Sequence, residues 1–132
     1  MINQQHMALV VDDELDDLEV VRHALASAGY NVKTAMDGKT AIEIFRAHAE
    51  EIDILVTDVA MSPMTGCDLA AQLVQLKWNL RVVFVSGYSG AQAIQYQGGP
   101  VTDFTFVPKP FSAEELLSKV APQTKNVSAA GR

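Results

Sequence analysis

A single cysteine, Cys67, occurs in the 132 residues, so no disulfide can close within the chain and a reducing compartment suits it. Runs of basic residues are missing. The 10 Lys and Arg are scattered among 16 Asp and Glu, and the formal net charge is −6. That leaves no electrostatic footprint for direct contact with nucleic acid or an anionic membrane. No apolar stretch reaches the roughly 20 residues that a spanning helix needs. The polar Met1–His6 segment lacks the apolar core of an export signal, so Asn126-Val127-Ser128 carries no glycosylation reading and a cytoplasmic location is expected. The histidines, His6, His23 and His48, are spread out without metal-ligand spacing. No internal repeat is present.

What is present is the composition of a globular domain: 48% hydrophobic and 20% charged residues, at a length that builds one core. The expected organisation is a tail over residues 1–6, one domain over 7–121 and a second tail over 122–132.

Met7 to Val11 is a short apolar run ending in acids, the pattern of a buried parallel strand. Leu15, Leu18, Val21, Leu25 and Ala28 then recur at helical spacing, and Gly29 supplies a stop. Val32 to Ala35 reads as a second strand, followed by the Asp37-Gly38 turn and a helix presenting Ala41, Ile42, Phe45 and Ala49. Ile52 to Thr57 is a third strand leading to Asp58. After Pro63 and Gly66, helix spacing runs from Asp68 to Leu76 through Leu69 and Leu73. Val82 to Val85 is a fourth strand ending at Ser86-Gly87. Ala91 to Gln97 is a weak helix, broken by Gly98-Gly99-Pro100. Phe104 to Val107 makes a fifth strand, and Ser112 with Glu115 forms a capping box for a last helix through Val120. Strands alternating with helices predict an α/β fold, a doubly wound parallel sheet with helices on both faces.

Ligands of such sheets bind beyond the carboxyl ends of the strands. Asp12 and Asp13 follow the first strand, Asp58 the third, Ser86 the fourth and Lys109 the fifth. A lone Asp there is ordinarily a helix cap or turn former, a lone Ser a loop residue and a lone Lys a surface charge. The combination carries the signal. Clustered carboxylates repel unless a cation joins them, and an oxygen-only ligand set suits a hard ion such as Mg²⁺. Such an ion bridges a carboxylate and a phosphoryl oxygen, which makes Asp58 a candidate nucleophile forming an acyl phosphate. Lys109 would pair with one phosphoryl oxygen and Ser86 would donate a hydrogen bond to another.

Val10-Val11-Asp12-Asp13-Glu14, Thr57-Asp58-Val59 with Met61, Met64 and Gly66, Val85-Ser86-Gly87 and Lys109-Pro110-Phe111 together resemble the receiver domain of bacterial two-component response regulators. The likeness covers the whole predicted domain. It implies a flavodoxin-like sheet of five strands in the order 2-1-3-4-5. It implies phosphotransfer to Asp58 from a histidine kinase or histidine phosphotransfer domain. The implied metal ligands are Asp12, Asp13, Asp58 and the Ala60 backbone carbonyl, and the Lys109-Pro110 bond is expected to be cis. Ser86 and Phe106 are the implied switch pair, with Phe106 lacking the hydroxyl of a tyrosine. They would transmit phosphorylation to a surface within roughly Ser89 to Val120, for a protein target, an attached output domain or a phosphorylation-dependent homodimer. The short remainder after Lys109 has no room for an output domain, which predicts a stand-alone receiver or a module of a longer chain such as a hybrid kinase.

Rival readings fit less well. A dehalogenase-type phosphatase needs an acid two residues after its nucleophile, and Ala60 stands there. A flavodoxin-type carrier needs a hydroxyl-rich phosphate loop where Asp12-Asp13-Glu14 lies. Gly38-Lys39-Thr40 is half a P-loop, but Lys33 replaces its first glycine. An unphosphorylated binding module would not need the full acid, Ser86 and Lys109 set. Cys67, at a helix start, reads as a packing residue, with a lowered thiol pKa as the functional alternative.

Overall fold

The computed structural model describes residues 7–87 and 104–121. The expected Ala91–Gln97 helix, the part of the implied output surface over residues 89–103 and both tails lie outside the described residues.

The strands are β1 (Met7–Val11), β2 (Asn31–Ala35), β3 (Ile52–Asp58), β4 (Arg81–Ser86) and β5 (Thr105–Pro108). They form one sheet in the order β2-β1-β3-β4-β5, and each neighbouring pair is parallel. The flavodoxin-like order is therefore as expected. The described helices are α1 (Leu15–Ser27), α2 (Gly38–Ala47), α3 (Gly66–Leu76) and α4 (Ala113–Val120).

Strands β1, β3 and β4 are apolar nearly end to end because helices cover both faces of the sheet. One core joins Leu9, Val11, Leu55 and Phe84 to Phe45 of α2 and Leu69 and Leu73 of α3. The other joins Val10, Val56 and Val85 to Leu18, Val21 and Leu25 of α1 and Leu116 and Val120 of α4. Strand β2, at an edge, is more polar and carries Lys33 among half-buried residues.

Helix ends follow local chemistry. Gly29 adopts φ 99°, and Gly29 N–H and Tyr30 N–H donate to the Ala26 and Leu25 carbonyls, closing α1 with a Schellman motif. Asp37 caps α2 by accepting from Thr40 N–H at 2.8 Å, and this contact holds the Asp37 carboxyl below its usual pKa. Ser112 and Glu115 cap α4 reciprocally, as their spacing predicts.

Four positions differ from the periodicity reading. Leu15, first residue of α1, is exposed, and Ala28 is the C-cap rather than a core residue. Leu76, last residue of α3, is also exposed, because the helix end has passed the sheet edge it covers. Ala49 lies in the turn beyond α2, packing its core from there. Helix α3 also starts before Asp68, where a Thr65–Asp68 capping box fixes its entry.

Candidate functional site

The carboxyl ends of β1, β3, β4 and β5 bring the sequence candidates together. Asp12 directly follows β1, Asp58 and Ser86 are the last residues of β3 and β4, and Lys109 follows β5. Asp12, Asp58 and Ser86 are buried, while Asp13 is exposed.

The Asp12 and Asp58 carboxylates are each held by backbone on one oxygen. Asp12 Oδ1 accepts from Glu14 N–H at 3.0 Å, and Asp58 Oδ1 accepts from Ala60 N–H at 3.1 Å. Glu14 occupies the N-cap of α1 without a side-chain capping bond, so Asp12, not Asp13 or Glu14, satisfies the amide at that turn. Both second oxygens face one ammonium: Lys109 Nζ donates to Asp12 Oδ2 at 3.2 Å and to Asp58 Oδ2 at 3.3 Å. The Lys109 backbone is tied to β4 by its N–H, 2.8 Å from the Ser86 carbonyl. The Lys109-Pro110 bond is cis, as expected, and Ser62-Pro63 is cis as well.

Burial raises the pKa of Asp12, and the charge of Asp58 adds to the rise. The Glu14 amide and the Lys109 ammonium pull the other way without cancelling it. Burial alone would lower the pKa of Lys109. The hydrogen bond to Asp17 and the charges of Asp12 and Asp58 outweigh it, and the ammonium is held well above its ordinary range.

Asp12, Asp13 and Asp58 each offer an oxygen, and these atoms all lie within 4.8 Å of one another. A site of carboxylate oxygens without imidazole or thiolate fits a hard divalent cation. Ala60 is exposed beside it and offers no second carboxylate.

Ser86 is one residue beyond Val85, the register partner of Asp58. Phe106, partner of Phe84 across β4 and β5, is half-buried against the core of α2 and α3. The Phe104 ring meets Phe84 edge-on at 5.1 Å. Burial and the charge of Asp68 raise the pKa of the Cys67 thiol, the opposite of the lowered pKa that a reactive role needs, and Cys67 packs against the core of α2 and α3.

Two features escaped sequence reasoning. Asp17 Oδ2 accepts from Lys109 Nζ at 2.8 Å, the shortest of the three carboxylate contacts. Its sequence signal was slight: Asp17 stands in the first turn of the helix that follows the strand-end acids, where side chains lean toward the helix N-terminus. The other is Gly66, whose backbone lies against the Asp58 carbonyl.

A family model described as the response regulator receiver domain matches residues 8–121. Sensor kinase CckA of Brucella abortus (strain 2308) is 38% identical over 112 residues, 85% of this chain but 12% of that protein. Response regulator receiver protein CpdR of the same strain is 29% identical over 112 residues, covering 85% of this chain and 91% of its own length. Among solved structures, a response regulator receiver protein from Sinorhizobium medicae WSM419 shares 28% identity, covers 96% of this chain and 97% of its own, and superposes with a TM-score of 0.79. The match of sheet order, strand-end residues and family model over most of its length places this chain in the response regulator receiver domain family of two-component signalling.

Proposed function

We propose that Asp58 accepts a phosphoryl group from a phosphohistidine of a sensor kinase or histidine phosphotransfer domain, in a Mg²⁺-dependent reaction that switches a protein-interaction surface. The observation that carries this reading is the convergence of a buried, backbone-held Asp58 carboxylate, an acid cluster and the Lys109 ammonium at one sheet edge.

In the transfer, an Asp58 carboxylate oxygen forms a new O–P bond as the donor N–P bond breaks. The electron pair returns to the imidazole nitrogen, which then takes a proton. Backbone anchoring of Oδ1 by Ala60 N–H fixes the carboxylate and leaves Oδ2 toward Lys109, so the reacting group is oriented before the donor arrives. Lys109 would transfer its hydrogen bond from Asp58 to a phosphoryl oxygen, and Ser86 would donate to another. Asp12, Asp13, Asp58 and the Ala60 carbonyl are the groups that would hold the cation, and bound there it supplies neutralisation of the phosphoryl charge. Catalysis is limited to the chain's own phosphorylation and dephosphorylation. Movement of Ser86 toward the phosphoryl group would open space for Phe106 to turn inward, carrying the signal to the face of β5 and α4.

The likeness to a stretch of a sensor kinase and to a receiver protein along nearly all its length supports the same donor class for this chain. Among the described residues no helix is long and apolar enough to cross a membrane, which agrees with a proposed cytoplasmic setting.

The test is mass spectrometry after incubation with Mg²⁺ and acetyl phosphate. One phosphoryl group is expected on Asp58, and none on Asp58→Asn, whose amide is not a usable nucleophile. Undiminished labelling of Asp58→Asn on another carboxylate would overturn the assignment.

A further inference from the structure

Lys109 faces three carboxylates, and the one it approaches most closely is not among the acids of the cation cluster. Its Nζ lies 2.8 Å from Asp17, against 3.2 Å from Asp12 and 3.3 Å from Asp58. Asp17 comes from the first turn of α1, on a side chain about half open to solvent, whereas Asp12 and Asp58 are almost wholly enclosed. Asp17, Lys109, Pro110 and Phe111 also line, with Val20, a surface depression of about 200 Å³ beside the strand ends.

The competition between these contacts has a direction. An ammonium seated fully on Asp12 and Asp58 would occupy the oxygens that a cation and a phosphoryl group need. A carboxylate on the far side of Lys109 draws the ammonium off that pair and gives it somewhere to remain. We infer that Asp17 is a positioning residue, which holds Lys109 to one side so that Asp12 and Asp58 stay available to a divalent cation. This rests on the functional reading above and adds to it a residue outside the strand-end acids. The ordinary alternative is that Asp17 is only a first-turn acid favoured by the helix dipole, with an exposed ion pair of little consequence.

A double-mutant cycle separates the two, read as Mg²⁺ affinity by titration calorimetry at low ionic strength. Asp17→Asn, which keeps shape and first-turn compatibility, should weaken Mg²⁺ binding about two- to fivefold, the effect expected of one partly exposed ion pair. Asp17→Glu should restore most of it. In a Lys109→Met background the effect of Asp17→Asn should shrink or vanish, because no ammonium is left to divert. A simple loss of negative field near the site predicts equal weakening in both backgrounds, and that result would overturn the inference. Unchanged Mg²⁺ affinity in Asp17→Asn would overturn it too, leaving the functional reading intact. A native protein that binds no Mg²⁺ at all would instead remove the functional reading, and this inference with it.

Discussion

Replacing Gly66 by alanine tests how tightly the acceptor strand is built. Gly66 opens α3, and its N–H donates to the Val59 carbonyl at 2.9 Å, so the loop from Asp58 is closed onto the helix start. A Cβ at this position would collide with the Asp58 carbonyl oxygen and stand 2.8 Å from the Asp58 carbonyl carbon and 3.0 Å from Val59 Cα. All three atoms are backbone, so no rotamer change relieves the contact. Overpacking of this kind costs about 1–3 kcal/mol, with rigid backbone neighbours at the upper end. Weakening the Gly66–Val59 hydrogen bond adds about 1 kcal/mol. The helix preference for alanine over glycine returns at most about 1 kcal/mol, and less at a first turn. The net expectation is a loss of about 2–3 kcal/mol. At roughly 3–6 °C per kcal/mol for a domain of this size, the thermal midpoint should fall by about 6–18 °C. Gly87→Ala is the control, since nothing lies within 4 Å of its Cβ position, and it should stay within about 0.5 kcal/mol of the parent. Circular-dichroism melts and urea titration of both variants provide the measurement. Equal midpoints for Gly66→Ala and the parent would refute the close approach of α3 to Asp58.

Asp12→Asn should raise the thermal midpoint in metal-free buffer at pH 7. The folded-state pKa of Asp12 lies above its unfolded value, so its proton stabilises the fold at low pH and that contribution is lost as pH rises through the raised pKa. The gain should therefore disappear on acidification, and a gain independent of pH would refute the cause. Arg81→Met removes the guanidinium that donates to the Val120 carbonyl at 2.6 Å and the Lys119 carbonyl at 3.4 Å, at the C-terminus of α4. It should cost about 1–2 kcal/mol, seen as a lower urea midpoint at constant m-value, and an unchanged midpoint would show that the contact contributes nothing.

The sheet was legible because its central strands are buried on both faces. Ala8 to Val11 and Ile54 to Val56 leave no polar position to blur the pattern. The strand-end acids were legible because each is the first charge after an apolar run. Helix boundaries were less so, since the periodicity of Leu15 and Leu76 continues past the point where a helix still faces the sheet. Capping at Thr65 and Asp68 was hidden for a different reason. Gly66 and Cys67 dilute the apolar spacing, so the helix appears to begin two residues late. Asp17 was overlooked because a first-turn acid ordinarily reads as a partner of the helix dipole, and only the third dimension brings the Lys109 side chain across to it. The collision at Gly66 has no sequence signature beyond the glycine itself.

The arrangement at the strand ends sets stability against function. Asp12 and Asp58 are enclosed at the rim of an apolar sheet and share one ammonium, and the raised pKa of Asp12 records chiefly its burial, with the charge of Asp58 adding to it. A residue selected only for folding would be neutral there. The acids are tolerated because the rest of the sheet edge is well tied: Glu14 and Ala60 amides hold one oxygen of each, and Lys109 is fixed through Ser86. Binding that adds positive charge relieves the imbalance directly. Under the proposed function, a phosphoryl group on Asp58 would alter it again, by giving Lys109 a partner more highly charged than a carboxylate. Under the proposed function, the same burial of charge that raises the Asp12 pKa would make the site responsive, since a ligand of different charge would change which contacts Lys109 keeps.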